Sequence, residues 1–121
     1  MPSGLFISSD LFFISKVTGT GTSLGYPIRV ISKASAFTEA LANPEVNAVF
    51  VDLEQKMLPL DQLVAAIPNR EQVTLIAFGA HVQVDVLKAA RALGFEAVMP
   101  RSQFTSDLPA IITHLKGSSP A

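Results

Sequence analysis

The sequence is most informative first for what it lacks. Its 121 residues include no cysteine, no tryptophan and a single tyrosine. The absence of cysteine excludes a disulfide framework, a thiolate metal site and a cysteine nucleophile. Tryptophan and tyrosine, on which nucleic-acid bases can stack, therefore supply a single ring.

Long apolar runs are also missing. None approaches the ~20 residues that cross a bilayer. The first four residues, Met1-Pro2-Ser3-Gly4, lack the basic region of a signal peptide. We therefore expect a cytoplasmic protein that does not act at a membrane.

Charge is low and scattered. Nine Lys and Arg residues stand against ten Asp and Glu residues, for a formal net charge of −1. A nucleic-acid binder usually carries a basic patch or stripe, so we do not expect nucleic acid as a partner. The mean hydropathy of +0.41 argues against disorder. A chain of this length suits one domain with a substantial core.

Short apolar runs alternate with helix-like segments, which is typical of βαβ units. The predicted strands are Leu5–Ile7, Ile28–Ile31, Ala48–Val51, Val73–Phe78 and Ala97–Met99. The predicted helices are Leu11–Val17, Ala34–Ala42, Leu60–Ile67, Gln83–Leu93 and a last one that begins near Thr105, with Pro109 in its first turn. We expect one domain over residues 1–117 and a disordered tail over 118–121.

The glycine-rich segment 18–25 has two interpretations. It is either a weak continuation of the first helix, with small residues against the sheet, or an early break into a loop. A phosphate-binding loop is disfavoured, because the glycines come about ten residues after the first strand rather than directly behind it.

The alternation predicts an α/β fold: a doubly wound, five-stranded parallel sheet in the order 2-1-3-4-5, with helices on both faces. In that order the ligand crevice lies between the first and third strands, at their carboxyl ends. Asp10 and Asp52 would then face one crevice. An Asp that closes a strand is as often a simple cap or turn residue.

The element order, together with Val49-Phe50-Val51-Asp52-Leu53, resembles the receiver domain of two-component response regulators over nearly the whole chain. The resemblance implies that Asp52 is the phosphoacceptor. It also implies an acidic pair after the first strand, a Thr or Ser after the fourth and a Lys after the fifth.

The residues at those positions depart from the family pattern. Ser8 and Ser9 stand where the acidic pair belongs, with Asp10 one place later. Gly79 replaces the hydroxyl residue, and Arg101 replaces the Lys. The chain therefore looks like an atypical receiver, or pseudo-receiver, with an incomplete acidic pocket.

These departures bear on metal and phosphate chemistry. Mg²⁺ prefers oxygen ligands and usually one or two carboxylates, so Asp10 and Asp52 could hold Mg²⁺ only weakly. An Arg beside an Asp favours the ionised carboxylate. We expect Asp52 to pair with Arg101 more often than to carry a phosphate. His81 follows the fourth strand and is expected at the crevice rim.

Three functions remain open. The first is a stand-alone signalling module, not an enzyme, that binds a protein partner such as a histidine kinase or a downstream effector. Its expected partner surface includes Lys88, Arg91, Arg101 and Asp107, and a homodimer through this face is plausible. The second is a working Mg²⁺-dependent phosphoacceptor at Asp52. The third is a small-molecule binder that uses the crevice of Asp10, Asp52, His81 and Arg101.

Overall fold

The structure is a computed structural model that describes residues 1–79 and 84–117. Its strands are β1 (Ser3–Ile7), β2 (Ile28–Ile31), β3 (Val46–Asp52), β4 (Thr74–Gly79) and β5 (Ala97–Pro100). Its helices are α1 (Leu11–Ser23), α2 (Ala34–Ala40), α3 (Leu60–Ala65), α4 (Val84–Ala92) and α5 (Arg101–Gly117). A short 3₁₀ turn covers Arg70–Gln72.

The five strands form one parallel sheet in the order β2-β1-β3-β4-β5. This confirms the predicted fold class and strand order. The central strand β3 is buried along its whole length, as expected for a strand with helices above and below it. Its last residue, Asp52, lies opposite Phe78 of β4.

Side-chain alternation along the strands divides the core between the two faces of the sheet. Val49 and Val51 of β3 lie in the core on the face covered by α2, α3 and α4. Ala48 and Phe50 lie in the second core, with α1 and α5. Asp52 continues the second set, so alternation directs its side chain to the face of α1 and α5.

The last helix begins earlier than the sequence predicted. It starts at Arg101, directly after β5, rather than near Thr105. Phe104 explains the early start, because its ring is fully buried against Phe78, with the centroids 4.4 Å apart. Pro109 consequently lies inside the helix and not in its first turn.

The glycine-rich segment continues α1 as far as Ser23. The first of the two interpretations is therefore confirmed. Gly21 faces β2 so closely that a Cβ there would lie 2.6 Å from the backbone oxygen of Tyr26. The residues expected as a tail, 118–121, lie outside the described residues. None of the described helices is both long and apolar enough to cross a membrane.

Candidate functional site

The carboxyl ends of β1 and β3 form a crevice in which Asp52 is only 3% exposed. Ser8 Oγ donates a 2.8 Å hydrogen bond to Asp52 Oδ2. The backbone N–H of Glu54 donates a 3.0 Å hydrogen bond to Asp52 Oδ1. Both carboxylate oxygens of Asp52 therefore already accept a hydrogen bond from the chain itself.

The two serines at the expected acidic pair differ in their surroundings. Ser8 is fully buried, and its Oγ also accepts a 3.1 Å hydrogen bond from the backbone N–H of Asp10. Ser9 is exposed. The neutral hydroxyl of Ser8 thus links the end of β1 to Asp52 and to the start of α1, and it holds these segments together.

Asp10 is the N-cap of α1. Its Oδ1 accepts hydrogen bonds from the backbone N–H groups of Phe12 and Phe13, at 3.1 and 3.2 Å. An Asp at this position satisfies two otherwise unpaired donors of the first turn. Asp10 therefore caps α1. The cap or turn role that the sequence left open for Asp52 is also observed, since Asp52 Oδ1 accepts the backbone N–H of Glu54 in the turn after β3.

Arg101 does not form the ion pair with Asp52 that the sequence predicted. Its Nη2 lies 3.4 Å from Glu54 Oε2 and 3.9 Å from Asp10 Oδ2. Asp52 is instead enclosed by its own hydrogen bonds, which direct its oxygens to Ser8 and to the backbone. Arg101 therefore spans the mouth of the crevice between the start of α1 and the turn after β3.

Phe13 lies beneath this cation. The guanidinium carbon of Arg101 is 4.6 Å from the centroid of the Phe13 ring, within the range of a cation–π contact. Phe13 itself stacks on Phe78, with the centroids 5.1 Å apart. The adjacent Phe12 is 74% exposed, so one ring of the pair belongs to the core and the other to the surface.

Gly79 is buried at the end of β4, where a receiver would carry a hydroxyl. A Cβ added there would meet Leu53 at 3.6 and 3.7 Å, which is ordinary van der Waals distance. Position 79 therefore has room for the first atom of a side chain, although the residue there is Gly. His81, the other candidate of this edge, lies outside the described residues.

The described side chains do not form a set of ligands suited to Mg²⁺. No group of three or more His, Asp or Glu side chains that could hold a metal occurs in residues 1–79 and 84–117. Asp10 and Asp52 are both engaged by hydrogen bonds, and Ser8 contributes no charge. An octahedral Mg²⁺ shell relies on carboxylates and water, and neither Ser8 nor Ser9, which stand at the position of the acidic pair, supplies a carboxylate.

The residues of the expected partner surface separate into two locations. Lys88 and Arg91 on α4 and Asp107 on α5 are exposed. Arg101 is half-buried at the crevice. An apolar groove of about 350 Å³ runs beside α5; it is lined by Thr74, Ile76, Asp107, Ala110, Ile111, His114 and Leu115.

Comparison with known proteins bears on the fold. No protein-family model and no curated protein matches the chain. A response regulator from Thermotoga maritima superposes with a TM-score of 0.79 at 13% identity, covering 98% of this chain and 99% of its own. The receiver fold is shown.

Two further solved structures share this receiver fold. The receiver domain of a Pseudomonas aeruginosa sensor histidine kinase, solved with magnesium in its active-site cleft, matches with a TM-score of 0.77 at 16% identity over 97% of this chain and 98% of its own. A putative pilus assembly-related protein from Burkholderia pseudomallei matches with a TM-score of 0.70 at 15% identity over 98% of this chain and 92% of its own.

Sequence reasoning did not anticipate Glu54, and it left open which of Phe12 and Phe13 faces the sheet. Glu54 stands two places after Asp52, in the turn that follows β3, and this closeness in sequence is the signal that places it near the crevice. Phe13 has a weaker signal, because only one of two adjacent aromatics in a first helical turn can face the sheet. Which of the two does so depends on the packing of Phe78.

Proposed function

We propose that residues 1–117 form a receiver-like signalling module that acts through contacts with protein partners and not through phosphoryl transfer at Asp52. The receiver fold supports a place in signal transduction, where histidine kinases and downstream effectors are the partners to be expected. The crevice around Asp52 supports the absence of phosphoryl transfer.

The observation that carries the proposal is that Asp52 is buried and hydrogen-bonded. Its oxygens accept hydrogen bonds from Ser8 and from the backbone of Glu54, and 3% of the residue is exposed. An Asp that attacks a phosphoryl donor must reach it with an oxygen lone pair. Burial limits that access, and the two hydrogen bonds, although they leave lone pairs free, make the carboxylate a weaker nucleophile. Gly79 adds no hydroxyl that could hydrogen-bond an acyl phosphate. The crevice is therefore built to hold Asp52 in place.

The exposed charges of α4 and α5 support a protein partner. Lys88 and Arg91 are basic, and Asp107 is acidic, so the two helices offer both signs of charge. Charges of both signs on one face can pair with each other across a two-fold interface between identical chains. A second copy of the chain is the partner that we propose for this face.

Phosphorylation in vitro tests the proposal directly. The protein is incubated with acetyl phosphate and millimolar Mg²⁺, and its intact mass is compared with that of Asp52→Asn. We expect no mass gain that depends on Asp52. A phosphoryl group on the unmodified protein that is absent from Asp52→Asn would show a working phosphoacceptor and would overturn the proposal.

A restored variant is the matched positive control. Ser8→Asp, Gly79→Thr and Arg101→Lys together introduce one member of the acidic pair, the hydroxyl and the Lys of the receiver pattern. Gly79 has room for the added Cβ. We expect this triple variant to gain a phosphoryl group that Asp52→Asn removes again, which would show that the assay detects the reaction when the residues permit it.

A further inference from the structure

We propose that two copies of the chain meet through α5, with the two helices packed antiparallel about a two-fold axis. The proposal rests on the proposed function, because it takes the second copy named there as the partner and assigns the residues at the centre of the contact. Four residues of α5 carry it, and all of them line the apolar groove beside this helix: Asp107, Ala110, Ile111 and His114.

These four residues lie on one face of α5, because side chains three, four and seven places apart in a helix point to the same side. Asp107, Ala110 and His114 are exposed, and Ile111 is half-buried. The fully buried residues of the helix point to the core instead. About two turns of α5 therefore present an open, mixed polar and apolar face to a neighbour.

The order of residues on this face is self-complementary. In a two-fold contact every pair occurs twice, because residue i of one copy meets residue j of the other and the reverse. An axis that passes between Ala110 and Ile111 places Asp107 of each helix opposite His114 of the other. The same axis places Ala110 of each helix opposite Ile111 of the other.

The polar pair is what makes a second copy the fitting occupant of the groove. The carboxylate of Asp107 accepts hydrogen bonds, and an imidazole donates a ring N–H in either protonation state. Asp107 and His114 can therefore bond to each other twice across the axis. Like charges are not brought together, because the axis sets Lys116 opposite Thr105.

The apolar part of the groove provides the packing. Ile76 and Leu115 lie at its base, 5% and 2% exposed, and its volume is about 350 Å³. Because Ala110 is small, the two helix axes can approach to about 8 Å, and Ile111 of each copy then covers the groove of the other. Two turns of helix bury less than the roughly 800 Å² per partner of a standard interface, so we expect a weak dimer.

Disulfide cross-linking tests the position of the axis, because the chain has no cysteine of its own. Ala110→Cys places the thiols of the two copies beside the axis, within the roughly 7 Å between Cα atoms that a disulfide can bridge. Under a mild oxidant this variant should become mainly a covalent dimer on a non-reducing gel. Ser102→Cys is the control, since residue 102 is exposed on the same helix but would lie about 25 Å from its copy. It should stay monomeric.

An exchange of the two polar residues tests the pairing itself. Asp107→His sets two imidazoles opposite each other, and His114→Asp sets two carboxylates opposite each other. Each should raise the dissociation constant, measured by sedimentation equilibrium, at least about fivefold. The double variant restores both pairs in reversed order and should return the constant to within about twofold of the unmodified value. Residues that served only the fold of α5 would not be rescued in this way.

Three results would overturn the inference. The first is cross-linking of Ser102→Cys as strong as that of Ala110→Cys. The second is a dimer whose dissociation constant is unchanged by the single variants or not restored by the double variant. The third is a monomer at every concentration, with no cross-link in Ala110→Cys. Failure of the proposed function is seen separately, because a phosphoryl group on Asp52 would overturn that function and leave the α5 contact untouched.

Discussion

Among single residues, Tyr26 has the largest side chain that is fully buried in the described part of the chain. Its ring is fully buried, and its hydroxyl donates a 2.6 Å hydrogen bond to Asn47 Oδ1. Asn47 Nδ2 in turn donates to the backbone oxygen of Leu115. The chain of contacts joins the segment before β2 to β3 and to the end of α5. Burial raises the pKa of the Tyr26 hydroxyl well above its usual range.

The raised pKa predicts a loss of stability in alkali. In the unfolded chain the hydroxyl ionises near its usual pKa of about 10, whereas in the folded protein it stays neutral. The stabilisation is therefore complete below about pH 10 and declines as the pH rises above it. Tyr26→Phe should lower the free energy of unfolding by about 1 kcal/mol at neutral pH. The stability of this variant should then fall less steeply than that of the unmodified protein as the pH rises above about 10.

Urea unfolding between pH 7 and pH 11 measures both effects. Because Tyr26 is the only tyrosine, the absorbance of tyrosinate reports its ionisation without ambiguity. Parallel pH profiles for the two proteins would contradict the assignment, since lysines titrate in the same range in both and their contribution cancels in the difference.

The partners of site residues were harder to predict than the site itself. Asp52 could be placed from its strand and the strand order, because both follow from local patterns. The partner of Arg101 could not. The choice between Asp52 and Glu54 depends on a hydrogen bond from Ser8 and on the Phe13 ring, which are set by packing between distant segments.

At the level of elements, α1 shows how two glycines in one helix can have opposite roles. Apart from its chain neighbours and the backbone of its own helix, nothing lies within 4 Å of a Cβ built on Gly19. A Cβ on Gly21 would lie 2.6 Å from the backbone oxygen of Tyr26 and 2.8 Å from Ile28 Cδ1. A backbone atom cannot move aside as a side-chain end can, so α1 approaches β2 closely only because residue 21 is Gly.

Alanine substitutions at Gly19 and Gly21 should therefore change the stability of the protein in opposite directions. Gly19→Ala should stabilise the protein by about 0.5–1 kcal/mol, because Ala is the better helix former and meets no obstacle. Gly21→Ala should destabilise it by about 1–3 kcal/mol, as overpacking does. Denaturant unfolding of both variants, with circular dichroism as the probe, gives the comparison. A gain at both positions would show that α1 can shift away from β2.

Segments of this kind explain why some element boundaries were missed. The sequence rated residues 18–25 as poor helix material by propensity, yet packing of Gly21 against the sheet outweighs that cost. The start of α5 was also missed because of packing. Phe104 stacks on a buried aromatic ring, and no pattern in the neighbouring sequence predicts this contact. Strand positions were predicted more closely, since buried parallel strands appear as short apolar runs.

At the scale of the whole molecule, the position of the charges on the sheet matters for association. Both α4 and α5 pack against β5, which is one edge of the sheet, whereas β2 forms the other edge. Arg91 and Asp107 therefore belong to the β5 side. Arg29 of β2 is exposed at the opposite side and pairs only loosely with Glu39, at 3.7 Å. It provides a control with the same charge.

We expect the protein to form a dimer of about twice its 12.9 kDa mass through the β5 side. Sedimentation equilibrium over a range of concentrations measures the dissociation constant. Arg91→Glu and Asp107→Arg should each weaken the dimer at least about tenfold, because each puts like charges across a two-fold interface. Arg29→Glu, which makes the same change at the far edge, should leave the constant unaltered. A monomer at every concentration, or a dimer that Arg29→Glu weakens as much as Arg91→Glu does, would place the partner of this face outside the chain's own copies.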